Sequence, residues 1–167
     1  MLVTATDRLL LRHLVPADLD ALATIQADPE VMRYVSGCAL SRDETAAQIE
    51  RIGAYQKALG FSLWAVCERE KGTLIGRAGL LVQIVEGKPE IELAYLLARS
   101  AWGRGLGTEV ATALRCHARD VVGLRRMAAL VHPENRASAL ILAKLGMVLE
   151  RRIDWHGTPR DVWAGSP

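Results

Sequence analysis

Cysteine is scarce in this chain, and its spacing excludes two whole classes of protein. Cys38, Cys67 and Cys116 are odd in number, form no CxxC and have no paired histidines beside them. A disulfide framework and a zinc site are therefore not expected, and a reducing compartment is. Each cysteine reads as a small buried hydrophobe. No apolar run approaches the ~20 residues of a membrane-spanning helix. The opening Met1-Leu2-Val3-Thr4-Ala5-Thr6-Asp7 lacks the basic-then-apolar pattern of a secretion signal, so a cytoplasmic protein is expected. The net charge is only +2, which removes the bulk-charge case for a nucleic-acid or membrane partner. Nor is there an acidic cluster with which to grip a polycation. Repeats, linkers and low-complexity segments are also missing, and the 167 residues suit one domain, 1–167, with room for a real core.

What the chain does have is a stretch from Glu90 to Val122 that runs strand, glycine turn, helix. Ile91, Leu93, Tyr95, Leu96 and Leu97 make the strand. Gly103-Arg104-Gly105-Leu106-Gly107 makes the turn. Leu106, Val110, Leu114 and Val121 recur at helical spacing after it, with Ala113, Ala118 and Val122 beside them. The first amides of a helix have no internal partner and carry the positive end of the macrodipole. Glycines let an anion approach that backbone closely, and Arg104 adds a full charge. The stretch reads as a pyrophosphate cradle. It is not a Walker loop, because no Gly-Lys-Ser/Thr follows. It is not the dinucleotide fingerprint either, since Thr108 stands where a glycine or alanine belongs. A tight turn with no ligand is the structural alternative.

The rest of the chain frames this stretch. Arg8 to Leu14 reads as the first strand. Pro16 opens a helix with Leu19, Leu22, Ala23 and Ile25 inward, and Asp28-Pro29 restarts a short one. Ser41-Arg42-Asp43-Glu44 has the form of a capping box, followed by Thr45, Ile49, Ile52, Tyr55 and Leu59 on one side and Gly60 as the stop. Phe61–Glu68, Leu74–Val82 and Glu90–Leu97 read as an antiparallel meander over Arg69-Glu70-Lys71-Gly72 and Glu86-Gly87-Lys88-Pro89. Arg126–Val131 is a buried strand, made parallel to Glu90–Leu97 by the intervening helix. Asn135–Leu145 is a helix with Leu140, Ile141 and Leu145 inward. Val148–Trp155 and Arg160–Trp163 close the chain as a hairpin over His156-Gly157-Thr158-Pro159.

Three motifs in order then carry a resemblance. They are Glu92-Leu93-Ala94-Tyr95, Trp102-Gly103-Arg104-Gly105-Leu106-Gly107-Thr108-Glu109, and His132-Pro133-Glu134-Asn135-Arg136-Ala137-Ser138. With Thr6-Asp7-Arg8-Leu9-Leu10-Leu11-Arg12 and Asp28-Pro29-Glu30-Val31-Met32 at the front, the whole chain resembles the GNAT acetyltransferases. More narrowly it resembles their ribosomal-protein N-terminal acetyltransferase branch. Ala94 and Met147 depart from that branch, which has glycine and phenylalanine there. The resemblance implies an α/β fold, a mixed and mostly antiparallel sheet with two splayed parallel central strands and flanking helices. It implies acetyl-CoA as cofactor, with its pyrophosphate on the amides of Gly103, Arg104, Gly105, Leu106, Gly107 and Thr108. Leu97 and Arg99 would lend backbone to the pantetheine arm, and Trp102 would pack beneath the turn.

Acetyl transfer to an amine needs a free lone pair, oxyanion stabilisation and a proton for the departing thiolate. By resemblance Glu92 is the base, Ser138 the proton donor and Asn135 a contact to the cofactor. Each has a structural alternative: a solvated strand carboxylate for Glu92, a first-turn residue for Ser138, and an N-cap for Asn135. Lys144 is explained by its place in the last turn of a helix. Tyr95 reads as core. His13, His117, His132 and His156 have no triad or metal spacing. Tyr34, Trp64, Trp155 and His156 are expected at the acceptor pocket because the family topology brings their elements there. No cysteine lies in these motifs, so direct attack in a ternary complex is expected rather than an acetyl-cysteine. The expected acceptor is the α-amine of a protein or peptide N-terminus. The alternatives are a small-molecule amine, or a non-catalytic acyl-CoA-binding module that would dispense with Glu92 and Ser138. A homodimer stays open as an assembly.

Overall fold

The meander read in the middle of the chain grows, at both ends, into a sheet of eight strands. The computed structural model describes residues 1–167. Its strands are β1 (Leu2–Ala5), β2 (Leu9–His13), β3 (Leu63–Glu68), β4 (Leu74–Val85), β5 (Lys88–Leu97), β6 (Met127–Val131), β7 (Val148–Trp155) and β8 (Thr158–Gly165). They lie in the order β1-β2-β3-β4-β5-β6-β8-β7. Every neighbouring pair is antiparallel except β5 and β6, which are parallel.

Five α-helices cover the two faces: α1 (Leu19–Gln26), α2 (Pro29–Met32), α3 (Arg42–Leu59), α4 (Leu106–His117) and α5 (Arg136–Lys144). On one face α4 and α5 pack Leu106, Val110, Leu114 and Leu142 against Ala78, Leu80, Leu93 and Ala129. On the other, Ile25 of α1 and Val31 and Met32 of α2 meet Leu96. Leu106, Val110 and Leu114 are all but fully buried, each stabilising the fold by about 1.5–3 kcal/mol. That burial fixes where α4 begins, directly beside the seam between β5 and β6.

The seam is where the sheet fails to close. β5 and β6 share one register pair, Glu92 with Ala128, and then part. Each strand is held instead by its outer neighbour. β5 pairs with β4 from Val85↔Lys88 to Gly76↔Leu97, and β6 pairs with β8 from Met127↔Gly165 to Val131↔Asp161. A gap is therefore tolerated without loosening either strand.

Several expectations need correction. β1 precedes the strand expected first; it is a short, half-exposed edge strand that pairs with β2. α4 runs into a π-turn over Ala118–Val122, whose wider pitch carries Val121 out to 71% exposure. Along Asn135–Leu145, Ile141 and Leu145 are inward as expected and Leu142 joins them, while Leu140 faces solvent; on α3, Tyr55 and Leu59 are exposed beyond buried Thr45, Ile49 and Ile52. Only Cys67 is buried, and Cys38 and Cys116 are exposed. The two late hairpins turn on two residues rather than four. Glu86-Gly87 and His156-Gly157 both have positive φ, the geometry that matches strand twist. The predicted caps hold: Asp28 accepts from the Glu30 amide, and Ser41 and Glu44 close the capping box.

Candidate active site

A short 3₁₀ turn, Arg99–Ala101, leads from β5 into the glycine turn, and α4 follows. Gly103 and Gly105 have φ of 69° and 78°, a region that costs other residues about 1–2 kcal/mol. No acceptor in the protein takes the amides of residues 103 to 108; the first N–H with a partner is that of Glu109, donating to the Gly105 carbonyl. The cradle is open, and its unpaired N–H groups at the start of α4 fit an anionic diphosphate. The Arg104 side chain does not reach into it, but pairs with Glu68 at 2.8 Å.

The turn is held in shape from the front of the chain. Glu109 accepts from the Thr6 hydroxyl, from the Arg8 amide at 3.1 Å and from Arg8 Nε at 2.6 Å. Arg8 Nη1 also donates to the Arg104 carbonyl at 2.9 Å. Despite partial burial, these bonds hold the Glu109 carboxyl below its ordinary range. Thr6, Arg8 and Glu109 of the sequence motifs are thus one clamp.

Beyond Glu92, β5 meets no strand on its β6 side. The Ala98 N–H donates to Ile75 on the β4 side, so by alternation the main-chain groups of Tyr95 and Leu97 face the gap. The Leu97 carbonyl accepts from the Trp102 indole at 2.8 Å. The others are left for an extended amide-bearing arm. Trp102 lies half exposed on the cleft rim, not beneath the turn.

Two cavities meet in the gap. One, of about 420 Å³, runs along α2, the glycine turn and α5 past Trp102, Gly103, Gly107 and Ile141. The other, of about 230 Å³, is lined by Arg77, Gln83, Glu92, His132, Trp155 and Arg160 among others. Tyr34, Val35, Tyr95, Leu96, Asn135 and Ser138 line both. Asn135 spends its Oδ1 on the Ser138 amide at 3.2 Å, capping α5, and its side-chain NH₂ donates to no protein group. Tyr34 stacks on His132, with ring centroids 5.1 Å apart.

Glu92 reaches the smaller cavity from the face opposite the flanking Leu93. Burial pushes its carboxyl above the usual range, against the Gln83 side-chain bond (2.8 Å), the Leu130 amide and the charges of Arg160 and Arg77. Burial lowers Arg77 to about 10 despite Glu92, which leaves it charged at neutral pH. Arg160 is lowered by burial for the same reason. The Tyr95 hydroxyl is buried with no hydrogen bond of normal geometry. Burial raises its pKa, and the neighbouring Ser138 hydroxyl pulls it back.

The structure thus brings Glu92, Asn135, Ser138, Tyr34 and Trp155 to one place. It does not bring Trp64, which is buried in the core and donates its indole N–H to Gln56 at 2.8 Å. Trp64 lies on β3, two strands from the seam, so its ring packs against His117 instead. His156 is exposed at the hairpin tip beside Trp155. Arg99 turns outward, 3.6 Å from Asp28. Leu106 is buried, so only its amide, and not its side chain, faces the cradle. Thr108 is half-buried. The sequence patterns do not single out Arg77, Arg160 or Gln83, and Tyr95 packs against the core as expected while also lining both cavities. A lone arginine inside the apolar run Leu74-Ile75-Gly76-Arg77-Ala78-Gly79-Leu80 was the available signal.

Residues 8–148 match the family model described as an acetyltransferase (GNAT) domain. The protein YkkB of Bacillus subtilis is 32% identical over 159 residues, 95% of this chain and 92% of that one. An acetyltransferase from Agrobacterium tumefaciens superposes with a TM-score of 0.82 at 27% identity, over 98% of this chain and 94% of that one. The ribosomal L7/L12 alpha-N-protein acetyltransferase RimL, in complex with coenzyme A, superposes with a TM-score of 0.82 at 16% identity. That superposition spans 99% of this chain and 98% of RimL, a likeness of fold.

Proposed function

The chain belongs to the GNAT acetyltransferases and is an acetyl-CoA-dependent N-acetyltransferase, and from that premise we propose that it acetylates an α-amine by direct attack in a ternary complex. The observation that carries this reading is the meeting of the two cavities at Tyr95, Asn135 and Ser138, with Glu92 on the acceptor side. Acetyl-CoA supplies the thioester carbonyl that the amine attacks, and departs as the thiol. The open amides of residues 103 to 108 hold its diphosphate, and the free groups of Tyr95 and Leu97 hold its arm. Glu92 takes the proton the amine must lose, directly or through a water. Tyr95 and Ser138, side by side in the gap, deliver a proton to the sulfur. None of the three cysteines lines either cavity, which favours direct attack over a cysteine relay.

The N-terminal α-amine of a peptide is the first acceptor we propose, on the motifs shared with the ribosomal-protein branch. A cavity of about 230 Å³, room for roughly seven waters, also admits a free amino acid. Thiol release from acetyl-CoA over N-terminal peptides and small amines tests the reading. Glu92→Gln is expected to lower kcat by about 100-fold or more while coenzyme A binds as before. An unchanged rate would remove Glu92 from the mechanism. Coenzyme A binding without thiol release from any amine would leave a sensor in place of an enzyme.

A further inference from the structure

We propose that the acceptor carries a carboxylate close to its amine, and that Arg77 and Arg160 bind it on the wall of the smaller cavity. The proposal rests on the acetyltransferase reading above and names the class of amine it acts on.

Arg77 sits on β4, inside the sheet, and is 7% exposed; Arg160 opens the inner part of β8 and is 8% exposed. Both line the cavity that Glu92 occupies. Neither forms an ion pair. Arg160 Nη2 donates to the Val35 carbonyl at 3.2 Å, but Arg160 Nη1 and Arg77 Nε have no partner at all. Most other arginines of the chain pair with a carboxylate: Arg8, Arg12, Arg42, Arg99, Arg104 and Arg126 among them.

Glu92 is the one carboxylate on the cavity wall, and it is hydrogen-bonded to Gln83. Two guanidinium charges against one carboxylate leave the cavity one positive charge in excess. A buried cation with unmet N–H groups is costly, and the cost is relieved by an anion that completes it. Guanidinium is matched to carboxylate in shape as well as in charge. The same wall repels a polyamine. An amine and a carboxylate a few bonds apart would set the amine toward Glu92 and the carboxylate toward the arginines. Two sources have that chemistry: a free α-amino acid, or a peptide whose first residue is Asp or Glu.

Matched acceptors test it in the thiol-release assay. L-α-amino acids are compared with their carboxamides, and peptides opening with Asp or Glu with those opening with Asn or Gln. In one of the two sets the anionic member is expected to exceed its neutral partner in kcat/KM by about 100-fold or more. The set that shows the ratio identifies the source. Arg160→Gln is expected to bring the ratio within about threefold, chiefly through KM, and Arg160→Lys to restore part of it. If the arginines served only to hold Glu92 ionised, Arg160→Gln would shift the pH profile equally for both members and keep the ratio. Thermal melts show whether each variant is folded. Calorimetry with N-acetyl-L-glutamate and its diamide on coenzyme A-loaded protein reads the anion site without turnover. Tighter binding of the diacid, lost in Arg160→Gln, is expected. Neutral acceptors used as well as anionic ones, or equal binding of diacid and diamide, would overturn the proposal. Thiol release from neutral amines alone would do so while leaving the acetyltransferase reading intact.

Discussion

Glu92 and Tyr95 lie three residues apart on β5, and in the proposed mechanism their opposite faces give them opposite halves of the proton traffic. Alternation turns Glu92 to the acceptor side and Tyr95 to the side of Ser138, and the parted seam lets both reach one cavity. Glu92 must be ionised to accept a proton, and its pKa is raised by burial. The acid limb of kcat/KM is therefore expected above the ordinary carboxylate range, with activity rising as pH rises through it. In Tyr95→Phe we expect kcat to fall by about tenfold or more, with KM for acetyl-CoA little changed and the acid limb retained. A pH–rate profile of wild type and variant checks both; a limb near pH 4, or full activity in Tyr95→Phe, would contradict these roles. Glu92, Asn135 and Ser138 were legible in the sequence because they stand at fixed places in recurring motifs. Tyr95 was legible only as core, against which it does pack; its place on the cavity shows in its unpartnered hydroxyl. Trp64 was expected at the pocket because family topology brings the mid-sheet to that side, but β3 lies two strands from the seam and the indole is satisfied by Gln56.

The glycine turn is the element on which the proposed coenzyme A site depends. A Cβ at Gly105 would meet only the far end of Arg8, 3.6 Å away, so the penalty for Gly105→Ala is backbone strain at φ 78°. We expect it to destabilise the fold by about 1–2 kcal/mol. Its effect on coenzyme A should be at least tenfold in Kd by calorimetry, because relaxing φ re-aims the open amides. Equal affinity in the variant would place the diphosphate elsewhere. Strand, turn and helix were readable here because each has a local cause: alternation, glycine, and unpaired amides. The π-turn after α4 was not readable. Nothing in Ala118-Arg119-Asp120-Val121-Val122 interrupts helical spacing, yet the chain takes the wider turn there and Val121 faces solvent. The clamp of Thr6, Arg8 and Glu109 was visible as motif but not as contact, since its halves lie about a hundred residues apart.

Across the molecule, carboxylates with lowered pKa values brace the fold, some locally and some between distant segments. Arg12 grips Asp18 through two bonds of 2.7 and 2.8 Å, and Val15 donates to it as well; these outweigh burial and lower Asp18, as the clamp lowers Glu109. A folded pKa below the unfolded one gives stability that is present at neutral pH and lost as pH falls through the folded value. Glu92 acts in the opposite sense, favouring the fold at low pH and losing that contribution as pH rises through its raised value. Chemical denaturation is therefore expected to show stability flat near neutrality and declining below about pH 5. A maximum in stability below pH 4 would be inconsistent with these pairs. The meander, the parallel pair and the last hairpin were legible from turn lengths and the crossover helix. The splayed seam was legible only as family resemblance, because strand periodicity does not say where neighbours part. The charge in the smaller cavity was not legible, because Arg77 and Arg160 are eighty-three positions apart and meet only across the seam.

Amide resonances followed during a coenzyme A titration test most directly whether the open amides of the glycine turn are the cofactor site. The main-chain N–H signals of Arg104 to Thr108 should move downfield together and saturate, and pantetheine without its diphosphate should leave them in place. Saturable binding of coenzyme A with those five signals unmoved would contradict it.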